Sequence, residues 1–247
     1  MSRDVKTTGI IIKKVNYRET SVILNVLTPT LGVITIMAKG VRKQKSKATG
    51  IIEILNELNF ELYNNPNSEW FIYKSAQVIN THLFNIDHRT SILMQAAVEV
   101  IRQILISVED SQEIYNLLST YLDYIKSVEK NGIAIFWRFI LKLYKIIGIE
   151  FNITNCIQCT QKKHFKAFFP QRNGFICNDC YRPGFYEQVI EIDKTTAELI
   201  SKLNNIGNHL DKISISKSTI QKINKILITH LSENFQKTIH FKSLDLY

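Results

Sequence analysis

The sequence predicts an α+β multidomain fold: an N-terminal five-stranded barrel, then an all-helical domain that carries an inserted four-cysteine knuckle. Three observations predict this order. Short β-branched runs alternate with turns over the first eighty residues, apolar side chains recur at helical spacing from Asp87 onward, and all four cysteines of the 247-residue chain lie within twenty-five residues. The predicted divisions are 1–80 for the barrel, 81–150 with 190–247 for the helical domain, and 151–189 for the insert.

Five strands are predicted in the first division. The apolar or alternating runs are 9–15, 21–27, 33–38, 55–63 and one that begins at Trp70. Pro29 and Gly32 mark one turn, and residues 64–68 form another. Because no long helix interrupts these short strands, an oligonucleotide-binding (OB) barrel is the natural candidate. We expect the aromatic side chains of this division to fill the barrel rather than stack on bases: Tyr17, Phe60, Tyr63, Trp70, Phe71 and Tyr73.

A basic segment follows the third predicted strand. Residues 38–47 read Ala-Lys-Gly-Val-Arg-Lys-Gln-Lys-Ser-Lys, without an acid. A cationic loop at a barrel rim could follow a phosphate backbone, although a merely solvated loop has the same composition. The phosphate contacts that we predict are Lys39, Arg42, Lys43, Lys45 and Lys47, and, near the first barrel loop, Lys13, Lys14 and Arg18.

The overall composition limits the classes of function. The net charge is +9 and the pI about 9.3, which points to nucleic acid or another anionic surface. No apolar run approaches a membrane span and no secretory signal is visible, so we expect a cytoplasmic protein without a membrane partner. The sequence has no P-loop, G-x-G-x-x-G, G-x-S-x-G or H-E-x-x-H motif, and we predict that it is not an enzyme.

The cysteines form two C-x2-C pairs, Cys156 with Cys159 and Cys177 with Cys180. This spacing is typical of one tetrahedral Zn²⁺ held by four thiolates, which leaves no open position for chemistry. Redox-active or disulfide-bonded pairs are one alternative, although no thioredoxin-like βαβ pattern surrounds them. Catalytic zinc is another, and it would need a water position. His164 could also be a ligand, but we expect it at the surface.

Helices are predicted on both sides of the insert. Asp87 is expected to cap the first helix, and the second is expected to start near Asp110. The third is expected to begin at Asn131 and Gly132, to carry a heavy apolar stripe of core residues, and to end at Gly148. Two more are predicted at 195–203 and 218–231. We expect all of them to pack together as one helical domain.

Several of these residues resemble a known family. The pattern consists of Gly9, Tyr17-Arg-Glu19, Thr28-Pro29 with Gly32, and Ala38-Lys-Gly40 followed by Arg42, Lys43 and Ser46. It resembles the N-terminal pattern of the bacterial RecO proteins, and Ala-Lys-Gly with its basic run is the most specific part. The resemblance extends over the whole chain: OB barrel, helical region, four-cysteine knuckle and helical tail. Some RecO proteins lack the cysteines, so zinc marks a subtype.

The resemblance implies a non-catalytic recombination mediator in bacterial DNA repair. Such a protein binds single- and double-stranded DNA and anneals complementary strands. It acts with RecR to load the RecA recombinase onto strands coated with single-strand-binding protein, whose acidic C-terminal tail it contacts. The alternative that the residues leave open is a zinc-ribbon adaptor that binds protein partners or RNA. Salt-dependent binding of oligonucleotides would distinguish the two.

Overall fold

The computed structural model describes residues 3–43, 48, 50–185 and 188–247. Its contacts divide the chain into two compact units, which we call unit 1 (Met1–Ser127 with Phe241–Tyr247) and unit 2 (Val128–His240). Unit 1 contains the two helices that follow the barrel as well as the barrel itself, because these helices pack on its strands. The later helices belong to unit 2. The division into a DNA-binding barrel (1–80), a helical domain (81–150 with 190–247) and a zinc-binding insert (151–189) stays a prediction.

Unit 1 consists of a barrel and two helices. The strands are β1 (Asp4–Tyr17), β2 (Ser21–Thr28), β3 (Gly32–Ala38), β4 (Asn56–Asn64) and β5 (Phe71–Thr81), and the helices are α1 (His88–Gln103) and α2 (Val108–Ile125). The strands close in the order β1-β2-β3-β5-β4, and only β3 and β5 pair in parallel. This five-stranded barrel is an OB fold, as predicted.

The interior of the barrel follows the period-two pattern of its strands. In β4, Leu58, Phe60 and Leu62 are buried while the residues between them face solvent. Gly9 lies where β1 passes β2, and a Cβ there would stand 2.3 Å from Val26 Cγ1, so only glycine fits without a shift. The prediction that the aromatic residues fill the barrel is correct for Phe60 but wrong for Trp70, whose side chain is 39% exposed. Two others, Phe71 and Tyr73, are partly buried against the core.

The first two helices begin at side-chain caps. The Asp87 carboxylate accepts a hydrogen bond from the Thr90 N–H at 3.1 Å, which confirms the predicted start of α1. The predicted start of α2 is two residues late. Ser107 is the N-cap, since its hydroxyl oxygen accepts a hydrogen bond from the Asp110 N–H at 3.0 Å, and the helix begins at Val108.

Helix α2 is fixed to the barrel by polar contacts as well as by packing. The Ser111 hydroxyl donates to the Pro29 carbonyl at 3.0 Å, and the Tyr115 hydroxyl donates to the Glu57 carboxylate of β4. His82 lies 3.7 Å from the same carboxylate and, together with the Tyr115 hydroxyl, holds the Glu57 pKa below its usual range although burial raises it. The barrel and α2 are therefore joined through a buried, charged contact.

Unit 2 contains helices on either side of a small sheet. Its elements are α3 (Gly132–Ile146), β6 (Phe165–Phe169), β7 (Gly174–Cys177), β8 (Ile190–Glu191), α4 (Lys194–Lys202) and α5 (Lys217–Phe235). The strands β6 and β7 form a hairpin, and β8 adds a third strand on the other side of β6, in the order β7-β6-β8. A strand of two residues carries no periodicity, so the sequence could not indicate it.

The apolar stripe of α3 forms the core of unit 2, as predicted. Trp137 is fully buried, and its indole N–H donates to the Asn224 side-chain oxygen of α5 at 2.7 Å. The Tyr144 hydroxyl donates to the Leu227 carbonyl, also at 2.7 Å. These two bonds satisfy polar groups that would otherwise be costly to bury, and they fix α5 against α3. Within the described ranges, every helix is too short or too polar to cross a bilayer.

Candidate nucleic-acid groove and metal centre

An open groove of about 900 Å³ lies on unit 1 between the turn that joins β1 to β2 and the segment after β3. We call it the barrel groove. Its lining residues are Tyr17, Arg18, Glu19, Thr20, Ser21, Met37, Lys39, Gly40 and Lys43. The first barrel loop and the basic segment, which the sequence analysis treated separately, therefore meet at one surface.

Arg42 joins the two sides of the barrel groove. Its backbone N–H donates to the Thr20 carbonyl at 3.0 Å, and its guanidinium Nη1 donates to the Arg18 carbonyl at 3.2 Å. Arg18 has a φ of +51°, an uncommon conformation for a residue other than glycine. The bonds from Arg42 hold this turn in place, so Arg42 shapes the groove in addition to contributing charge.

The predicted phosphate-binding cations gather at this groove. Arg18, Lys39 and Lys43 line it, Arg42 lies beside it, and all four are exposed. Among the ion pairs that involve described residues, none includes these four cations. Glu19 is the acid of the lining. The predicted contacts Lys45 and Lys47 lie outside the described residues.

The other two predicted contacts lie apart from the groove lining. Lys14 forms an ion pair with Glu53 at 2.6 Å, which compensates its charge locally. Lys13 is half-buried on β1 at an irregularity in the pairing with β2. The structure therefore brings Arg18 to the basic segment but not Lys13 or Lys14, whose role in binding stays a prediction.

Tyr17 lines the groove, whereas the prediction placed it in the barrel interior. It is half-buried at the end of β1, and the guanidinium carbon of Arg18 lies 5.3 Å from the centre of its ring. Its position could have been inferred from the sequence, because Tyr17 is the last residue of a strand before a turn. Strand ends at a barrel rim lie next to the loops that bind ligands.

The four cysteines of unit 2 come together at one point. Their sulfur atoms all lie within 4.8 Å of one another, and the Cys159 and Cys177 sulfurs are 3.9 Å apart. A tetrahedral zinc with bonds of about 2.3 Å would separate its sulfurs by roughly 3.8 Å. Disulfide sulfurs would be only about 2.05 Å apart. The spacing thus fits a shared metal and not a disulfide.

The two cysteine pairs share one type of backbone hydrogen bond. The Thr160 N–H donates to the Cys156 carbonyl at 2.9 Å, and the Tyr181 N–H donates to the Cys177 carbonyl at 3.0 Å. The Ile157 N–H also donates to the Phe175 carbonyl at 2.9 Å, which attaches the first pair to β7. Each pair forms a tight turn that aims its sulfurs at the common centre.

The thiol electrostatics favour a cation at this centre. Burial raises the pKa of Cys156, but the backbone N–H groups of Cys159, Cys177 and Gln158 outweigh it and bring that pKa to about 7. Hydrogen bonding with the Cys177 thiol raises the pKa of Cys180 to about 12. The Cys156 thiol therefore ionises readily, whereas the Cys180 thiol resists a second negative charge nearby. A divalent cation bound between the sulfurs would stabilise both as thiolates.

The cluster consists of four sulfurs and no other donor from the described residues. His164 is not part of it and instead lines an exposed groove with Lys162 and Lys163, which confirms the predicted surface position. Four thiolates complete a tetrahedral shell without a water position, so the arrangement suits a structural metal.

An OB barrel with a cationic groove, followed by helices and a four-cysteine centre, defines this chain as a multidomain protein of the OB class. Comparison with protein families narrows the class. The family model "Recombination protein O N terminal" matches residues 1–82, and "Recombination protein O C terminal" matches residues 87–245. The chain therefore belongs to the RecO family of DNA repair and recombination proteins, as its sequence pattern indicated.

Individual relatives cover almost the full chain. The DNA repair protein RecO of Caldicellulosiruptor bescii is 26% identical over 245 residues, which span 98% of this chain and 97% of the relative. That of Alkaliphilus metalliredigens is 24% identical over 98% of both chains. That of Clostridium perfringens is 28% identical over 217 residues, which span 85% of this chain and 82% of the relative. The similarity thus includes both units.

Proposed function

We propose that this chain is a non-catalytic recombination mediator that binds single- and double-stranded DNA through the barrel groove. The observation that carries the proposal is the meeting of Arg18, Lys39 and Lys43 on one groove, without partners among the ion pairs of the described residues. OB barrels bind oligonucleotides on the face of strands two and three and at the loop between strands one and two, where this groove lies.

The chemistry of the barrel groove suits the DNA backbone better than a particular base sequence. Lysine and arginine contacts to phosphates release condensed counterions, which makes binding sequence-tolerant and steeply dependent on salt. The unpaired cations need not break an internal ion pair before they bind a phosphate. Lys45 and Lys47 follow in the same segment and are proposed as further contacts.

Family membership supports the wider role that we propose for the chain in the bacterial cytoplasm. There it would anneal complementary strands and act with RecR to load RecA onto strands coated with single-strand-binding protein. The acidic C-terminal tail of that protein would find a surplus of positive charge in unit 2. Residues 128–240 contain sixteen Lys and Arg against nine Asp and Glu, whereas unit 1 contains fifteen against thirteen.

The test is binding of the full chain to single- and double-stranded oligonucleotides at several salt concentrations. We expect little sequence preference, a steep loss of affinity as salt rises, and faster annealing of complementary strands, including strands coated with single-strand-binding protein. A chain that binds neither form of DNA and does not accelerate annealing would contradict the proposal. That outcome would favour an adaptor that binds protein partners or RNA.

We also propose that Cys156, Cys159, Cys177 and Cys180 hold one structural Zn²⁺. The strands β6 and β7 are short, and a metal bound by residues before the hairpin, at the end of β7 and after it would supply much of its folding energy. Zinc would cross-link the two cysteine pairs and would have no catalytic role, because four thiolates leave no position for a substrate. Metal analysis of the purified protein should find about one zinc per chain. No metal together with four titratable thiols would contradict the assignment.

A further inference from the structure

We propose that the ring of Tyr17, backed by the Arg18 guanidinium, is a stacking platform for one unpaired base in the barrel groove. It would make the groove prefer single-stranded over double-stranded DNA. This inference deepens the proposed function and rests on it. It adds to the phosphate contacts a second type of contact, which requires a base with an exposed face.

The geometry of the two side chains carries the inference. Tyr17 lines the groove, and the guanidinium carbon of Arg18 lies 5.3 Å from its ring centre. A guanidinium this close to a ring centre is in cation–π contact with the ring, so Arg18 lies against one face of Tyr17. Among the aromatic residues of the barrel division, Tyr17 belongs to the groove lining while Phe60 lies in the core.

The backbone of the turn that carries Arg18 is fixed by hydrogen bonds from Arg42. Arg18 occupies the left-handed region with a φ of +51°, and its carbonyl accepts a hydrogen bond from Arg42 Nη1 at 3.2 Å. The Arg42 backbone N–H also donates to the Thr20 carbonyl, two residues further along the turn. These bonds fix the turn that follows Tyr17, which reduces the ordering cost of binding a base there.

The surroundings of the platform distinguish between the two forms of DNA. Lys39 and Lys43 line the same groove, so a backbone held by these cations brings its bases to the ring. A base in a duplex is already stacked on both faces and paired at its edge, whereas an unpaired base has a face to offer. Phosphate contacts can therefore bind both single- and double-stranded DNA, whereas the stacking platform can bind only the single strand.

The test compares the full-chain variants Tyr17→Leu and Tyr17→Phe by fluorescence anisotropy with a labelled single-stranded oligonucleotide and its duplex. We expect Tyr17→Leu to lose affinity for the single strand by about 5- to 150-fold, the range for one stacked base, and to keep its affinity for the duplex. Tyr17→Phe keeps both affinities. The salt slope stays unchanged in Tyr17→Leu, because no phosphate contact is removed.

Two further variants complete the design. Arg18→Lys keeps the charge but removes the planar layer, and we expect a selective loss on the single strand with an unchanged salt slope. Tyr124→Leu is the matched control, because Tyr124 is an exposed tyrosine of α2 that does not belong to the groove lining. It should bind like the wild type. Thermal unfolding of each variant reports whether the barrel is intact.

A second readout does not depend on the fold of Tyr17→Leu. Tyr17→Trp retains the platform, and its indole fluorescence should be quenched by a single-stranded oligonucleotide but not by the duplex, relative to the wild type with its two tryptophans. Equal losses on both DNA forms in Tyr17→Leu, or unquenched Tyr17→Trp, would overturn the inference. Wild-type protein that binds neither form overturns the proposed function itself, so the two failures are distinguishable.

Discussion

The two units of the chain differ in how their positive charge is arranged. Unit 2 has the larger surplus, sixteen Lys and Arg against nine Asp and Glu, yet two of its lysines near the cysteine centre, Lys163 and Lys166, are paired. Lys163 lies 2.6 Å from Asp179, and Lys166 lies 3.0 Å from Glu191. Exposed pairs of this kind contribute little to stability, but each cancels the local field of a cation.

Unit 1 shows the opposite arrangement. It has nearly balanced totals, fifteen Lys and Arg against thirteen Asp and Glu. The barrel lysines Lys6, Lys14 and Lys74 are in ion pairs. In the part of the chain that the structure describes, the cations of the barrel groove have no such pairs. The comparison teaches that charge totals alone do not show which cations are free to bind an anion; the positions of the compensating acids do.

The largest expected effect is the loss of the metal centre in unit 2. Cys177→Ser removes a fully buried ligand, and we expect the bound zinc to be lost together with several kcal/mol of stability of the β6–β7 region. Because the ligands and the barrel belong to different units, the unfolding of unit 1 should stay unchanged. Zinc content, thermal unfolding and limited proteolysis measure these effects.

His164→Ala is the control for the metal centre, since His164 does not belong to the sulfur cluster. It should retain one zinc per chain. If Cys177→Ser kept its zinc, or if the barrel unfolded with the β6–β7 region, the view of the centre as a local cross-link would be wrong.

The next effect compares the unpaired cations with the paired ones directly. Lys39→Gln with Lys43→Gln should weaken binding to all DNA sequences by about ten- to a hundredfold at low salt and reduce the salt slope by roughly 1.8, about 0.9 for each phosphate contact. Lys166→Gln with Lys222→Gln removes the same total charge from cations that are paired with Glu191 and Asp193, and should change little. A larger loss from the second double variant would place the main DNA surface in unit 2.

The smallest effect concerns an acid that compensates charge in unit 2. Asp193 pairs with Lys222 and also caps α4, since its carboxylate accepts from the Thr196 N–H at 2.9 Å. Asp193→Ala should cost about 1 kcal/mol. Asp193→Asn keeps the cap and loses only the exposed ion pair, so a few tenths of a kcal/mol are expected. Urea unfolding at pH 7 measures both.

The pH dependence of this contact has a defined sign. The Lys222 ammonium, and then the Thr196 N–H, lower the pKa of Asp193 from 3.8 to about 2. A carboxyl group with a lowered pKa contributes its stability above the unfolded value and loses it as the pH falls from about 4 towards 2. The difference between wild type and Asp193→Ala should therefore shrink over that interval. A difference that stayed constant there would show that the charge of Asp193 contributes nothing.

Sequence patterns predicted the features that depend on local spacing. The alternation in β4 and the Asp87 cap were each visible in a few consecutive residues. The start of α2 was placed late because Ser107 and Asp110 both suit a helix start, and the hydrogen bond from the Asp110 N–H to the Ser107 hydroxyl decides between them. The packing of α1 and α2 on the barrel was not visible in the sequence, because periodicity alone does not specify which partner a helix packs against.

The sequence by itself determined the barrel, the four-cysteine centre and the family, since each depends on residue types at short, fixed separations. Only the tertiary structure decided which cations share a surface. It paired Lys14 with Glu53, which is thirty-nine residues away, and joined Arg42 to Arg18, which is twenty-four residues away. Such contacts depend on which strands lie side by side in the closed barrel. The local spacing of residue types does not show which distant residues come close together in space.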